Sequence, residues 1–441
     1  MVSKVLRFIL VFTLSIIILG CSFDSKTGIW NNEQKRKTIN AELVKLSGNQ
    51  EKFQTELNPE LIINLSSKAK TNKKWPMSGL NYSNLTYHLK FDGQINNFYK
   101  YKYKKIQHNS IRETPLIVEK NYLITMGEKG SILKFIDQKK LKWSKNIYNK
   151  REKEKIESIS LALDKDKLYV VDNLGKYYVL NANTGEIIWI KQHNALFNSQ
   201  IKVHKNKIFV VDSNNVISCF SVTDGKEIWK FETNPTFIKS NKKLSIIVTP
   251  NSVLFLNTAG DIAKVNINNG ELIWFIPTQN TLVEHATDFL ESSDIVLSKK
   301  NLFFSNNFSK LFSLNPNFGQ IEWTLNINSN LRPIIIDNYL FTISQEGYLI
   351  VIDSIVGKII RSNYILGGFK TKQREKLFIQ GFLIASNKVY ITTNLGYLIV
   401  CSVKTGKVEK FSKISNSPLS EPLISKNNLY ILTDKSLVVF N

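Results

Sequence analysis

The sequence predicts an all-β fold: an eight-bladed β-propeller of four-stranded antiparallel blades, the last blade closed by a strand from the N-terminal side. Two observations carry this. A glycine turn followed four residues later by tryptophan is repeated along the chain, and short β-branched strands separated by turn residues fill every interval between the copies. A repeat period of 40–50 residues marks a repeat architecture, which sets the fold before any other feature does.

The clearest copies are "NANTGEIIWIK" (181–191), "SVTDGKEIWKF" (221–231), "NINNGELIWFI" (266–276) and "NPNFGQIEWTL" (315–325). Two degenerate copies, "DSIVGKIIRSN" (353–363) and "SVKTGKVEKFS" (402–412), follow, and "FIDQKKLKWSK" (135–145) keeps the tryptophan without the glycine. Within one period, 199–232, four strands are legible: Ile201–Val203, Ile208–Val211, Val216–Ser221 and Glu227–Phe231. The Asp-Gly, Asn-Gly and Thr-Gly pairs suit hairpin turns that need positive φ. Four strands per repeat make a propeller blade. The tryptophans Trp143, Trp189, Trp229, Trp274 and Trp323 stand at equivalent outer-strand positions, which predicts blade latches packed against the next blade and not a catalytic set.

Seven outer-strand turns are countable, and "EPLISKNNLYILTDKSLVVFN" (421–441) adds three strands without a fourth. An open sheet edge is a liability that a propeller removes by borrowing a strand from the other terminus. The donor expected here is "LTYHLKF" (85–91).

The N-terminal residues fall outside this grammar. "MVSKVLRFILVFTLSIIILGCS" has a basic start and an apolar run, Phe8–Leu19, too short to span a membrane. It reads as a secretory signal over 1–20. The Gly20–Cys21 pair resembles a bacterial lipoprotein cleavage site, which makes Cys21 the lipidated first residue of the mature chain. Ser22 in place of aspartate resembles the pattern of outer-membrane destinations. Residues 21–74 are polar and weakly periodic and predict a flexible tether with a short helix near Ala41–Leu46. The propeller is assigned to 75–441.

The net charge of +23 is spread along a Lys-, Asn- and Ile-rich chain and not gathered into a stripe, so no nucleic-acid partner is expected. The one dense run, "YKYKYKK" (99–105), reads as a solvated edge, with contact to an anionic membrane surface as the alternative. Cys219 and Cys401 sit in equivalent strands of distant repeats and are not expected to pair. The histidines His88, His108, His193, His204 and His285 show no metal-ligand spacing and read as surface residues. No nucleophile elbow and no phosphate loop is present, so no catalytic residues, no metal and no cofactor are expected.

The N-x-x-T-G-x-x-x-W pattern resembles the pyrroloquinoline-quinone-type propeller repeat. With the lipoprotein signal, the eight blades and "WPMSGLNYSNLTYHL" (75–89), the chain is similar to the BamB family of outer-membrane β-barrel assembly lipoproteins. The resemblance implies a non-enzymatic adaptor, lipid-anchored on the periplasmic face of the outer membrane. Its implied partners are the barrel-inserting subunit (BamA-like) and other assembly lipoproteins, with no small-molecule substrate. It implies contact through the interblade loops 232–243 and 277–294. In the first, Ile238 stands for the family's leucine, and Lys242 or Lys243 for its basic residue. In the second, Glu291 holds the acidic position, flanked by Asp288 and Asp294. Apolar residues with a charged rim are what an interface requires. Two other classes share such folds. A quinoprotein dehydrogenase would hold its quinone on the propeller axis, but the chain lacks adjacent cysteines and the added length those enzymes carry. A ligand- or cell-wall-binding periplasmic propeller is the third reading.

Overall fold

Eight four-stranded antiparallel sheets follow one another along the chain in the computed structural model. The structure describes residues 53–102, 115–119, 121–136, 140–233, 240, 242–278, 291–306 and 310–441. Blades 1 to 7 are each built from consecutive strands, beginning with Leu116–Val118 in blade 1 and ending with Val408–Lys413 in blade 7. The chain is an eight-bladed propeller, and the compact unit runs from Lys52 to Asn441.

Blade 3 shows why these residues form this element. Its second and third strands, Lys207–Val211 and Val216–Ser221, are buried on both faces and read as apolar runs, while the outer strand Glu227–Glu232 is half exposed. The register lines up Phe209, Cys219 and Trp229 across the sheet. A bulge beside this row recurs in blades 1 to 7, between the third and outer strands. A bulge bends the strand and re-aims a side chain. Here it lies next to the row of the tryptophan. Burial pushes the Cys219 and Cys401 thiols up to about 12, and both are free thiols inside their own blades.

The seams between blades follow one rule for five junctions. Each tryptophan stacks on the turn glycine of the next blade: Trp143 on Gly185, Trp189 on Gly225, Trp229 on Gly270, Trp274 on Gly319 and Trp323 on Gly357. At Gly270, φ is 74° and a Cβ would lie 2.6 Å from the Trp229 ring, so both the turn and the neighbour demand glycine. The indole N–H of Trp229 donates to Ile267 O at 3.1 Å, three residues before that glycine. Trp143, Trp189 and Trp323 make the same bond to Ala182, Val222 and Ser354. At the fourth seam the equivalent carbonyl, Pro316 O, is taken by Lys264 Nζ at 2.8 Å.

At the sixth seam Arg361 fills the tryptophan's place. Its Nη2 donates to Val403 O at 2.8 Å, again three residues before the turn glycine, Gly406. Its Nη1 donates to Lys404 O and to Leu61 O at 2.7 and 2.9 Å. Leu61 belongs to the segment expected to be a free tether. The tether boundary at residue 74 is therefore corrected: residues 53–72 lie on the propeller. Leu57 exchanges backbone bonds with Ser362, the Ile63 N–H donates to Lys404 O, and Asn72 Nδ2 donates to Ile424 O. Low periodicity hid this strap, because its few apolar anchors, Phe53, Ile63 and Leu65, are scattered and the rest of its hold comes from backbone groups, polar side chains and Arg361. Cys21 and the expected helix at 41–46 lie outside the described residues.

The closing strand is also corrected. Blade 8 is completed by Phe98–Lys102, paired antiparallel to Ser436–Phe440 with Phe98 opposite Phe440 and Tyr101 opposite Leu437. The "YKYK" part of the run, 99–102, is thus in an amphipathic edge strand. Tyr101 is buried on blade 1, its ring 5.3 Å from that of Phe135, and Lys100 and Lys102 face solvent. The alternation with period two was the strand signal, and its charge masked it.

Residues 85–91 do something else. The stretch 75–91 crosses the ring on the face that carries the hairpin turns between first and second strands. It bonds the inner strands in succession: Trp75 to Val118 of blade 1, Pro76 O to Leu163 of blade 2, Tyr82 O to Val248 of blade 4, Ser83 O to Leu297 of blade 5, and Leu89 to Ile384 of blade 7. Asn84 Nδ2 reaches Ile246 O and Ile295 O and so ties blades 4 and 5. This segment plugs one end of the propeller axis.

Candidate docking face

The opposite face carries the connections between blades, and the other end of the axis opens there. Four connections meet at it. Lys242, from the connection between blades 3 and 4, has its Nζ 3.8 Å from Asp294 and donates to Asn330 O at 3.0 Å. Asp294, which immediately precedes the inner strand region of blade 5, also faces Arg332 Nε at 3.5 Å. Arg332, before the inner strand of blade 6, pairs in turn with Glu421, before that of blade 8. Asn330 Nδ2 donates to Glu291 at 2.6 Å. Lys243 Nζ reaches Ile159 O of blade 2 at 2.5 Å.

The Lys242, Asp294 and Arg332 side chains are largely buried and the Glu421 side chain keeps about a quarter of its surface exposed. Ion pairs this buried gain little net stability, because desolvation offsets attraction, but breaking one leaves an uncompensated charge. Their effect is to fix the connections in one arrangement. A cleft of about 390 Å³ opens beside the network, lined by Glu291, Asn330, Gln345, Phe378 and Gln380 among others. Phe378 is 63% exposed at its rim. A small cavity of about 20 Å³ lies between Lys242, Asp294, Arg332 and Glu421.

Towards the plug, Lys202 from the inner strand of blade 3 donates to Ser78 O, Asn81 O and Asn84 Oδ1 at 2.7, 2.9 and 2.7 Å. Burial lowers its ammonium to about 7. The plug is pinned by a cation with neutral oxygens for partners.

Of the residues expected to meet a partner, Lys242, Glu291 and Asp294 converge here, while Ile238 and Asp288 lie outside the described residues. Sequence reasoning missed Asn330, Arg332, Glu421 and Lys202. A signal for Glu421 was present. Ser199-Gln200, Ser293-Asp294 and Ser420-Glu421 repeat a serine and a polar residue before an inner strand, and each serine Oγ accepts a second-strand N–H at 2.7–2.9 Å. Among the described residues no group of three or more His, Cys, Asp or Glu is placed to hold a metal.

This geometry defines a ring-shaped scaffold of the pyrroloquinoline-quinone-like repeat type, plugged at one end and presenting interlocked loops at the other. The chain belongs to the family described as outer membrane protein assembly factor BamB, whose model matches residues 128–363. An uncharacterized protein of Rickettsia conorii is 23% identical over 69% of this chain and 76% of its own length. Outer membrane protein assembly factor BamB of Legionella pneumophila is 24% identical over 35% of this chain and 36% of its own. Among solved structures, BamB from Moraxella catarrhalis superposes with a TM-score of 0.61 at 12% identity, covering 78% of this chain and 99% of that one. Quinohemoprotein alcohol dehydrogenase from Comamonas testosteroni superposes with a TM-score of 0.64 at 12% identity, over 84% and 80% of the two chains. At such identities the superpositions speak for the fold alone.

Proposed function

We infer that the chain is a non-enzymatic scaffold of the outer-membrane β-barrel assembly machinery, tethered by a lipid on Cys21 to the periplasmic face of the outer membrane. Its docking face receives the periplasmic domains of the barrel-inserting subunit, with other assembly lipoproteins in the same complex. One observation carries this reading: buried pairs hold loops from four blade connections in a single arrangement around Lys242, Glu291 and Asp294. A pre-ordered face saves the entropy of ordering loops on binding. The family membership is what points to that machinery.

The test is a pull-down of the tagged full-length protein from gently solubilised membranes. Recovery of the barrel-inserting subunit in near-stoichiometric amount is expected. Recovery of the protein alone, or with unrelated envelope proteins, would overturn the reading in favour of a ligand- or wall-binding propeller. Titration of the purified pair should show binding weakened about tenfold or more by Glu291→Arg, as for a charge reversal at an interface, with the propeller still folded.

A further inference from the structure

None of the described histidines is a free surface residue: His193 and His204 are half-buried, against Asp212 and Tyr82, and His88 is buried, while His108 and His285 lie outside the described residues. His88 is 4% exposed and stands where three segments cross: the strap, the plug and the first hairpin turn of blade 7. Its Nδ1 lies 2.7 Å from Ser67 O of the strap. Its Nε2 lies 3.1 Å from the backbone N of Asn387 in the blade 7 turn. A carbonyl only accepts and a backbone N–H only donates, so the bonds assign the tautomer: Nδ1 carries the proton and Nε2 is the acceptor. The backbone around the ring depends on the same joint. Lys70 N–H donates to His88 O at 2.8 Å, and Lys90 N–H returns to Lys70 O at 2.9 Å.

We propose that His88 is an acid-released joint that fastens the strap to the plug and to blade 7. Only the neutral ring fits. A second proton on Nε2 would point an N–H at the Asn387 N–H, and the charged ring would have no acceptor on that side. The charged groups on the surrounding elements do not supply one. On the strap they are Lys68 and Lys70, and its two carboxylates, Glu56 and Glu60, are engaged at blades 6 and 7, by Tyr364 N–H and by Lys407. On the plug, Lys90 is paired with Asp92 at 3.1 Å, and on blade 7 Lys388 is paired with Glu409 at 3.2 Å. Blade 8 contributes Lys426. The nearest carboxylate through bonds is Asp337 of blade 6, which already accepts the backbone N–H groups of Ser66 and Ser67 at 2.7 and 3.2 Å. Although burial alone would raise the Asp337 carboxyl, these bonds hold it below the usual carboxylate range. Asp337 therefore keeps its grip on Ser66 and Ser67 in mild acid, and the release is confined to the His88 joint. Acid loosens the plugged face and leaves the ring and the docking face intact.

Hydrogen exchange of the full-length protein tests this between pH 7.5 and 5.0, the interval in which histidines as a class become charged. After correction for the intrinsic effect of pH, peptides covering 68–74, 86–92 and 384–390 should exchange about tenfold faster at pH 5.0, as expected for local opening. Peptides of blades 3 and 4 should not change. His88→Gln keeps a donor and an acceptor without a titrating ring and should abolish the difference. Equal protection of the three peptides at both pH values would overturn the proposal. So would an imidazole nitrogen spectrum of the wild type at pH 7.5 showing the proton on Nε2, a reading that does not depend on the variant folding.

Discussion

Seams 1 to 5 and seams 6 to 8 close the same ring by different means. In the first group an indole covers the next blade's turn glycine, and in four of the five it also bonds the carbonyl three residues earlier. In the second group there is no tryptophan. Arg361 holds the sixth seam, Lys410 stands at the equivalent place in blade 7, and Tyr101 packs on Phe135 at the eighth. The second group is where the N-terminal segment lies: 53–63 along blades 6 and 7, Asn72 on blade 8, and 98–102 as the closing strand. The latch is thus a function of the slot and not of the residue. Where the indole is missing, the chain's own N-terminal strap supplies contacts, and a guanidinium with several donors joins strap and slot together.

Breaking a tryptophan seam should have the largest effect. Trp229→Ala removes a side chain that is 7% exposed, and about 3–5 kcal/mol of stability should be lost, as for other large-to-small core changes. Denaturant unfolding would show it, and an unchanged midpoint would refute the latch. Converting the sixth seam sharpens the comparison. Arg361→Trp should keep the Val403 bond, now from an indole N–H, but leave Leu61 O without its donor. Global stability should then change by no more than about 1–2 kcal/mol, the scale of one or two hydrogen bonds. The strap amides around Leu57–Ile63 should lose exchange protection. Strap protection equal to wild type would show that Arg361 does not hold it.

A subtler effect concerns the plug. Lys202 has its folded pKa lowered to about 7 by burial, so between pH 7 and the unfolded value near 10.5 the unfolded chain binds more protons than the folded one. Stability must rise with pH across that window and be independent of this group below it. Lys202→Met should flatten this rise, measured as melting temperature against pH relative to wild type. A variant with the wild-type slope would assign the pH dependence elsewhere. The smallest effect on stability belongs to Glu291→Arg, which gives up one hydrogen bond to Asn330 at the edge of the cleft, about 1 kcal/mol.

Legibility in the sequence followed the same division. The glycine and tryptophan turns were readable because every blade must solve the same local problem, so the solution repeats. Arg361 looked like decay of the repeat when read in one dimension. It is a substitution that makes sense only with Leu61 O beside it, and the two residues are 300 positions apart. "YKYK" (99–102) was read as a solvated edge, which its exposed lysines are, but its role as the closing strand was hidden because those lysines carry the same letters as a basic surface run. "LTYHLKF" had the alternation of a strand but is used as a plug, where its backbone bonds inner strands of several blades.

What the sequence by itself determined is the blade: its four strands, its turn glycine, its tryptophan and the count of eight, because these rest on periodicity and local backbone preference. Only the tertiary structure decided which N-terminal segment closes the ring, which one plugs it, and which residues meet at the docking face. Those outcomes depend on contacts between residues far apart in the chain. Asp294, Arg332 and Glu421 become neighbours only when the closed ring brings the blade connections to one axis.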